Sequence, residues 1–244
     1  MPLAPNTKGA DTAMTATTTL DGPSLPPASG GKPKQLVLLL HGVGADGNDL
    51  IGLAPFFQQA LPDALFVSPN APQRFDMAPW GYQWFSIRND SDPTQFISDA
   101  GKLKGALAAL PVLNGFIDER LAAHGLTDAD LALIGFSQGT MMSLQAGLRR
   151  EKAIAGIVGY SGVLLGVDLL AKEIKSRPPV LLVHGDADAV LPVSALPAAE
   201  AALKKLNVPV EAHVHSGLAH GIDEIGIRRG QAFLAKIFGG VPAR

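Results

Sequence analysis

The chain has 244 residues, 47% hydrophobic and 17% charged, a balance that predicts one α/β domain with a large buried core. Its 20 Lys and Arg against 22 Asp and Glu give a net charge of −2, without the basic excess that attracts nucleic acid or anionic membranes. The lack of cysteine excludes disulfides, a thiolate nucleophile and cysteine-based metal centres.

The first 34 residues are rich in Thr, Ala, Pro and Gly, which predicts a flexible segment that buries little apolar surface. We therefore expect the folded domain to span residues 35–244, although a short edge strand over 18–20 is compatible with the Pro-rich stretch after it. The segment has no apolar run of signal-peptide length, and the longest aliphatic run, 36–40, is too short to cross a bilayer. The sequence thus predicts a cytoplasmic protein without integral membrane association.

Short aliphatic runs alternate with stretches of helical spacing along the rest of the chain. Strands are predicted over residues 35–40, 64–68, 130–136, 154–158, 180–183 and 210–215, with helices between them and one at the end. The helix after the first strand is predicted to have Asn48 or Asp49 as its N-cap. The longest helix is predicted from an N-cap at Asp92 to His124, kinked at Pro111. This alternation predicts a mostly parallel sheet with helices on both faces.

A strand, a sharp turn and a helix are predicted over residues 131–144, with the turn at Gly-Phe-Ser-Gln-Gly, residues 135–139. Such a turn pushes the serine hydroxyl out at the C-terminal end of the strand, and its flanking glycines are needed where side chains have no room. The alternative is an ordinary turn with an incidental serine, because the short motif also arises by chance. The strand and helix around it favour Ser137 as a nucleophile.

A serine hydroxyl needs a neighbouring base and a group that orients the base. His220 and Asp188 both follow predicted strands, and the order Ser137, Asp188, His220 is that of the triad in α/β-hydrolases. Asp186 is a second candidate for the acid. Asp188 is favoured because it lies deeper in the loop, whereas Asp186 suits a turn that bonds backbone N–H groups.

The other strand-end histidines have simpler interpretations. His213 and His215 share one face of a predicted strand, but no carboxylate or cysteine stands at ligand spacing, so we expect no metal and no cofactor. His41 and His184 each precede a glycine at a strand end, where structural hydrogen bonds around the loops are expected.

Aromatic residues cluster in one irregular stretch, where five of the chain's 10 Phe, 2 Trp and 2 Tyr lie between Phe75 and Phe85. An aromatic loop beside a nucleophile predicts an apolar acyl pocket. A loop attached to the core by its rings is the alternative. The residues expected to contact substrate are Phe75, Trp80, Trp84 and Leu191.

Five segments together resemble the phospholipase/carboxylesterase family of α/β-hydrolases, which includes acyl-protein thioesterases and small bacterial carboxylesterases: LLLHGVGADGNDL, QWFSI, GFSQGTMMSL, VHGDADAVLP and GLAHGID. The resemblance implies the α/β-hydrolase fold, with Ser137 as nucleophile, His220 as general base and then acid, and Asp188 as orienting carboxylate. It also implies an oxyanion hole made by the backbone N–H groups of Val43 and Gln138. Similar proteins often form homodimers.

The expected activity is hydrolysis of small to medium acyl esters through an acyl-enzyme. The stretch 163–177 is too short to form a large cap over a long acyl chain. A thioesterase or lysophospholipase acting on long chains is the alternative with the same chemistry, and a binding protein that cleaves no bond is disfavoured by the complete set of triad residues. Two departures from the family bear on substrate preference: Ser86 replaces a frequent acid, and Ala189 a frequent proline.

Overall fold

The computed structural model describes residues 20–89, 91–92 and 94–239. The strands are β1 Ser24–Leu25, β2 Gln35–Leu40, β3 Ala64–Val67, β4 Gln73–Arg74, β5 Tyr82–Gln83, β6 Leu131–Phe136, β7 Gly156–Tyr160, β8 Val180–Gly185 and β9 Val210–His215. The main sheet has the order β1-β3-β2-β6-β7-β8-β9, while β4 and β5 form a small hairpin. Only β1 runs antiparallel to its neighbour in the main sheet. The predicted mostly parallel sheet is confirmed.

Seven helices connect and cover the strands in the described ranges: α1 Gly47–Ile51, α2 Ala54–Gln58, α3 Asp99–His124, α4 Gln138–Gly147, α5 Val167–Glu173, α6 Ala195–Lys205 and α7 Glu224–Ile237. A single 3-10 turn, Asp128–Asp130, precedes β6. The part of the chain that the structure describes contains no large cap and no helix both long and apolar enough to span a membrane.

The two sides of β2 show how the sequence builds a three-layer fold. Side chains alternate along a strand, so Leu36, Leu38 and Leu40 face one helical layer and Val37 and Leu39 face the other. The first layer contains α3, α4, α5 and α6, and the second contains α1, α2 and α7. Because both faces are covered, the strand is a continuous aliphatic run rather than an alternating one.

The start of α3 differs from the prediction. Its N-cap is Ser98, whose Oγ accepts from the Gly101 N–H at 3.2 Å. The predicted cap, Asp92, instead accepts from the N–H and hydroxyl of Thr94 at 3.1 and 2.6 Å, a local turn that competes with helix formation. The predicted first helical residue, Pro93, lies outside the described residues. The helix is continuous through Pro111.

The start of α1 also differs by two or three residues from the prediction. Asp46, rather than Asn48 or Asp49, is the N-cap, and its carboxylate accepts from the Asn48 N–H at 2.8 Å. An aspartate at this position satisfies an N–H group that has no partner inside the helix. The loop after β2 is therefore shorter than the sequence suggested.

The packed part of the chain begins before the boundary predicted near residue 35. Leu20 is buried in the core, β1 pairs with β3, and the Ser68 N–H donates to the Pro23 carbonyl at 3.0 Å. A Pro- and Gly-rich stretch packs here because it covers the exposed edge of β3. The edge strand expected over 18–20 falls mostly outside the described residues, and the observed edge strand is β1.

Candidate active site

Ser137 lies between β6 and α4 with φ 54° and ψ −114°, a conformation that costs a non-glycine residue about 1–3 kcal/mol. The turn is crowded. A Cβ on Gly135 would lie 2.4 Å from the Thr140 nitrogen, and one on Gly139 would lie 1.8 Å from the Leu40 carbonyl oxygen. Both positions therefore require glycine, and the turn projects the serine at the C-terminal edge of the sheet.

Hydrogen bonds to the neighbouring strand hold this strained turn in place. The Ser137 N–H donates to the Tyr160 carbonyl at 2.9 Å. The Thr140 hydroxyl lies 2.8 Å from the same carbonyl oxygen and 2.8 Å from that of Gly135. A strained conformation persists only where the surroundings determine it in this way.

Asp188 and His220 form a hydrogen-bonded pair at the same edge of the sheet, after β8 and β9 respectively. His220 Nδ1 lies 2.7 Å from Asp188 Oδ2. The other carboxylate oxygen accepts from the N–H groups of Val190 and Leu191 at 2.8 and 2.9 Å. Burial raises the pKa of Asp188, but these hydrogen bonds lower it more, so the pKa lies below its ordinary value. The carboxylate is therefore ionised at neutral pH.

Sequence reasoning missed a fourth neighbour of this carboxylate. His184 is buried in β8, and its Nε2 lies 3.2 Å from Asp188 Oδ2 and 3.1 Å from the Leu191 carbonyl oxygen. Because both neighbours are acceptors, Nε2 carries the proton. The only signal in the sequence is a histidine four residues before the acid, at the end of a buried strand.

Asp186 serves the loops instead of the imidazole. It is exposed, and its Oδ1 accepts from the Gly217 N–H at 2.6 Å. The Ala187 N–H donates to the Leu218 carbonyl at 3.1 Å. These bonds join the loop that carries Asp188 to the loop that carries His220. Asp186 thus bonds a backbone N–H group, as expected of the less favoured candidate, but in a distant loop.

Ser137 faces a small apolar cavity close to His220. The His220 and Phe136 rings are 4.9 Å apart between centroids, and Ser137 is the next residue along the chain. Within the described ranges, Ser137 Oγ makes no hydrogen bond, including to His220. In substrate-free enzymes the hydrogen bond between nucleophile and base is often long or poorly aligned, and it forms fully only when substrate binds.

The cavity has a volume of about 170 Å³. Ser137, Gln138 and Lys102 line it with seven apolar side chains, those of Val43, Phe85, Ile87, Phe96, Met141, Val190 and Leu191. Phe96 and Val190 are 67% and 65% exposed and form its apolar rim. A wider depression of about 630 Å³ lies between α2 and α7, but none of the predicted site residues lines it.

The two N–H groups predicted to form an oxyanion hole both border this cavity. Gln138 is the first residue of α4, where a backbone N–H has no acceptor within the helix. This N-terminal end also carries the positive partial charge of the helix dipole. Among the described residues, neither the Gln138 N–H nor the Val43 N–H donates a hydrogen bond. Both are therefore free to bind an oxyanion.

His41 supports the loop that contains Val43. The Ala71 N–H donates to His41 Nε2 at 3.0 Å, so the ring proton is on Nδ1, which lies 2.7 Å from the Gly42 carbonyl oxygen. Burial lowers the pKa of His41 and keeps the imidazole neutral. The structural role predicted for this histidine agrees with these contacts.

Trp84, predicted to contact substrate, is buried and does not line the cavity. Its indole N–H donates to the His41 carbonyl at 3.0 Å, and its backbone N–H donates to Gln138 Oε1 at 2.8 Å. Gln138 Nε2 also donates to the Phe85 carbonyl at 2.8 Å. Trp84 therefore connects the segments that carry the two predicted oxyanion donors.

The remaining predicted substrate contacts are divided. Leu191 lines the cavity, whereas Phe75 and Trp80 do not. Phe75 packs on the loop after β2, where a Cβ on Gly44 would lie 3.2 Å from its ring. Trp80 is 70% exposed at the tip of the β4–β5 hairpin. Phe75 and Trp84 thus attach the loop to the core, which was the alternative interpretation of the aromatic cluster, whereas Phe85 of the same stretch lines the cavity.

The two histidines of β9 face a cation. Arg229 Nε donates to His215 Nε2 at 3.2 Å, and its NH1 lies 3.5 Å from His213 Nε2. His215 Nδ1 bonds the carboxylate of Asp223, the N-cap of α7, at 3.0 Å. In the described ranges, no group of three or more His, Cys, Asp or Glu residues could hold a metal ion.

The sheet, the serine on its strained turn and the carboxylate–imidazole pair define an enzyme of the α/β-hydrolase type. The sequence profile of the family described as Phospholipase/Carboxylesterase matches residues 27–238, so the chain belongs to this family. It is a serine hydrolase that acts on acyl esters. The resemblance drawn from the five sequence segments is confirmed.

Individual relatives agree with this membership. The chain is 30% identical over 169 residues to acyl-protein thioesterase 1 of Kluyveromyces lactis, covering 66% of this chain and 72% of that protein. It is 29% identical over 191 residues to esterase YpfH of Escherichia coli, covering 78% and 77% of the two chains. The crystal structure of esterase PE8 superimposes with a TM-score of 0.83 at 42% identity, covering 90% of this chain and 99% of that one.

Proposed function

We propose that the protein is a carboxylesterase that hydrolyses small to medium acyl esters through an acyl-enzyme on Ser137. The observation that supports this most directly is the 2.7 Å hydrogen bond between Asp188 and His220, made beside the strained turn of Ser137. A nucleophile, a base and an orienting carboxylate are the groups that ester hydrolysis by a serine requires.

In the proposed mechanism, ionised Asp188 accepts from Nδ1–H of His220 and so leaves Nε2 free to accept a proton. The imidazole removes the hydroxyl proton of Ser137 as Oγ attacks the ester carbonyl. The oxyanion binds the N–H groups of Val43 and Gln138. The imidazolium then protonates the leaving alcohol, and a water molecule, activated by the same imidazole, hydrolyses the acyl-enzyme.

The size and lining of the cavity support the proposed range of acyl groups. Its volume of about 170 Å³ is smaller than the roughly 300–1,000 Å³ typical of ligand pockets. Its apolar walls suit an aliphatic chain. A thioesterase or lysophospholipase acting on long chains is the second candidate, because the exposed Phe96 and Val190 could carry the chain beyond the cavity and several relatives are named acyl-protein thioesterases.

Hydrolysis rates over p-nitrophenyl esters from acetate to palmitate, measured with wild type and Ser137→Ala, test the proposal. We expect kcat/KM to be highest between acetate and octanoate and to vanish in the variant, together with labelling by a fluorophosphonate. A maximum at palmitate would favour the second candidate. Retained labelling would remove Ser137 from the mechanism, and folded wild type that cleaves no ester would indicate a binding protein.

The homodimer and the cytoplasmic location stay predictions.

A further inference from the structure

One charged side chain stands out among the described residues that line the cavity. Lys102 shares this cavity with Ser137, and the other side chains around it are apolar or neutral. Lys102 lies in the first turn of α3, and its side chain is only 26% exposed. No carboxylate among these residues faces the lysine from the cavity wall.

The partner of Lys102 lies on the solvent side. Lys102 Nζ donates to Asp99 Oδ1 at 2.9 Å, and the Asp99 side chain is 80% exposed. An ion pair with so exposed a carboxylate contributes little, because water solvates both charges when the pair separates. A second carboxylate inside the cavity could therefore compete for the ammonium group.

We propose that Lys102 binds a carboxylate of the substrate, so that the preferred esters of this enzyme are anionic. This inference rests on the proposed esterase function of the same cavity. A carboxylate placed among apolar side chains without a partner is strongly disfavoured, whereas a lysine supplies a charge-assisted hydrogen bond and orients the ester toward Ser137. Neutral esters of the same shape gain only the apolar contacts.

The carboxylate could belong to the acyl group or to the alcohol, and two substrate pairs distinguish these sources. The acyl pair is the p-nitrophenyl monoester of adipic acid and neutral p-nitrophenyl 6-methylheptanoate, which has the same number of non-hydrogen atoms. The alcohol pair is 4-butyryloxybenzoate and its methyl ester. For each pair, kcat/KM is measured with wild type and Lys102→Met, which keeps an unbranched apolar stem.

We expect Lys102→Met to lower the ratio of anionic to neutral kcat/KM by about tenfold or more in at least one pair. Lys104→Met is the matched control, since Lys104 is exposed on the same helix and does not line the cavity. Asp99→Asn should raise the ratio by freeing the ammonium. Ratios unchanged in Lys102→Met, or lowered equally in Lys104→Met, would overturn the proposal.

A binding measurement separates this proposal from the esterase function. Calorimetry with the adipate monoester and the benzoate on Ser137→Ala should show binding that the added Lys102→Met weakens about tenfold. If Lys102→Met does not fold, Lys102→Arg should keep the anionic preference and Lys102→Gln should lose it. If wild type cleaves neutral esters and Ser137→Ala does not, the esterase function is supported. If the Lys102 variants then change neither the binding nor the hydrolysis of the anionic esters, the role of Lys102 is refuted.

Discussion

The indole N–H of Trp84 donates to the carbonyl oxygen of His41 at 3.0 Å, two residues before the predicted oxyanion donor Val43. Through its backbone N–H, Trp84 also bonds the side chain of Gln138, whose own N–H is the second predicted donor. One buried residue thus sets the separation of two segments that must bind the same oxyanion. Its effect on catalysis should come through position, because an oxyanion hole depends on accurate placement of its donors.

Trp84→Phe should lower kcat by a similar factor for every ester in a chain-length series. The ring bulk stays, but the buried His41 carbonyl loses its donor, at a cost of about 1–3 kcal/mol that should appear as a lower melting temperature. Trp80→Phe is the control, since Trp80 is mostly exposed and should change neither quantity. A decrease in kcat confined to the longer esters would instead indicate that Trp84 lines the acyl pocket.

Asp188→Asn should reduce kcat by roughly 10⁴-fold, because an amide no longer holds His220 in the Nδ1–H tautomer. Asp186→Asn should cost little, since its remaining carbonyl oxygen can still accept from the Gly217 N–H. Asp186→Ala removes that acceptor and should cost more than Asp186→Asn, with lower thermal stability. Steady-state kinetics and melting curves of the three variants check this order, and a larger loss in Asp186→Asn than in Asp188→Asn would exchange their roles.

His184→Phe should lower kcat by about 10- to 100-fold while KM changes little, because the Asp188 carboxylate loses the polar imidazole nitrogen that lies 3.2 Å from its Oδ2. The orientation of the carboxylate beside His220 would then depend on the N–H groups of Val190 and Leu191 alone. His184→Gln, which retains an N–H donor, should recover part of the loss. The exposed His124→Phe serves as control. Full activity in folded His184→Phe would show that the backbone N–H groups alone hold the acid.

Acid should destabilise the protein through His41. Burial holds its folded pKa below the ordinary value of 6.5, so below that pH the unfolded chain binds a proton that the folded chain does not. Stability is therefore lost as the pH falls from about 6.5 toward the folded pKa, by up to about 1.4 kcal/mol per pH unit. Melting temperatures of wild type and His41→Gln between pH 7.5 and 5 test this. The variant should be less stable at pH 7.5 but lose less on acidification, and parallel curves would contradict the assignment.

The sequence by itself determined the fold class and the chemistry-bearing turn. Continuous aliphatic runs indicate strands that are buried on both faces of a sheet. The glycines around Ser137 indicate a turn at which no larger side chain fits. These signals are readable because each depends on a few consecutive residues. Helix starts were less certain, as Ser98 and Asp46 show, because several polar residues in a row can each act as a cap.

Only the tertiary structure decided which side chains meet in the site. The bond between Trp84 and Gln138 joins residues 54 positions apart, and that between Asp186 and Gly217 joins residues 31 apart. The same holds for Lys102, whose place in the cavity depends on how α3 packs against α4. No local pattern records such contacts, because the order of the strands and the packing of helices onto them bring distant segments together.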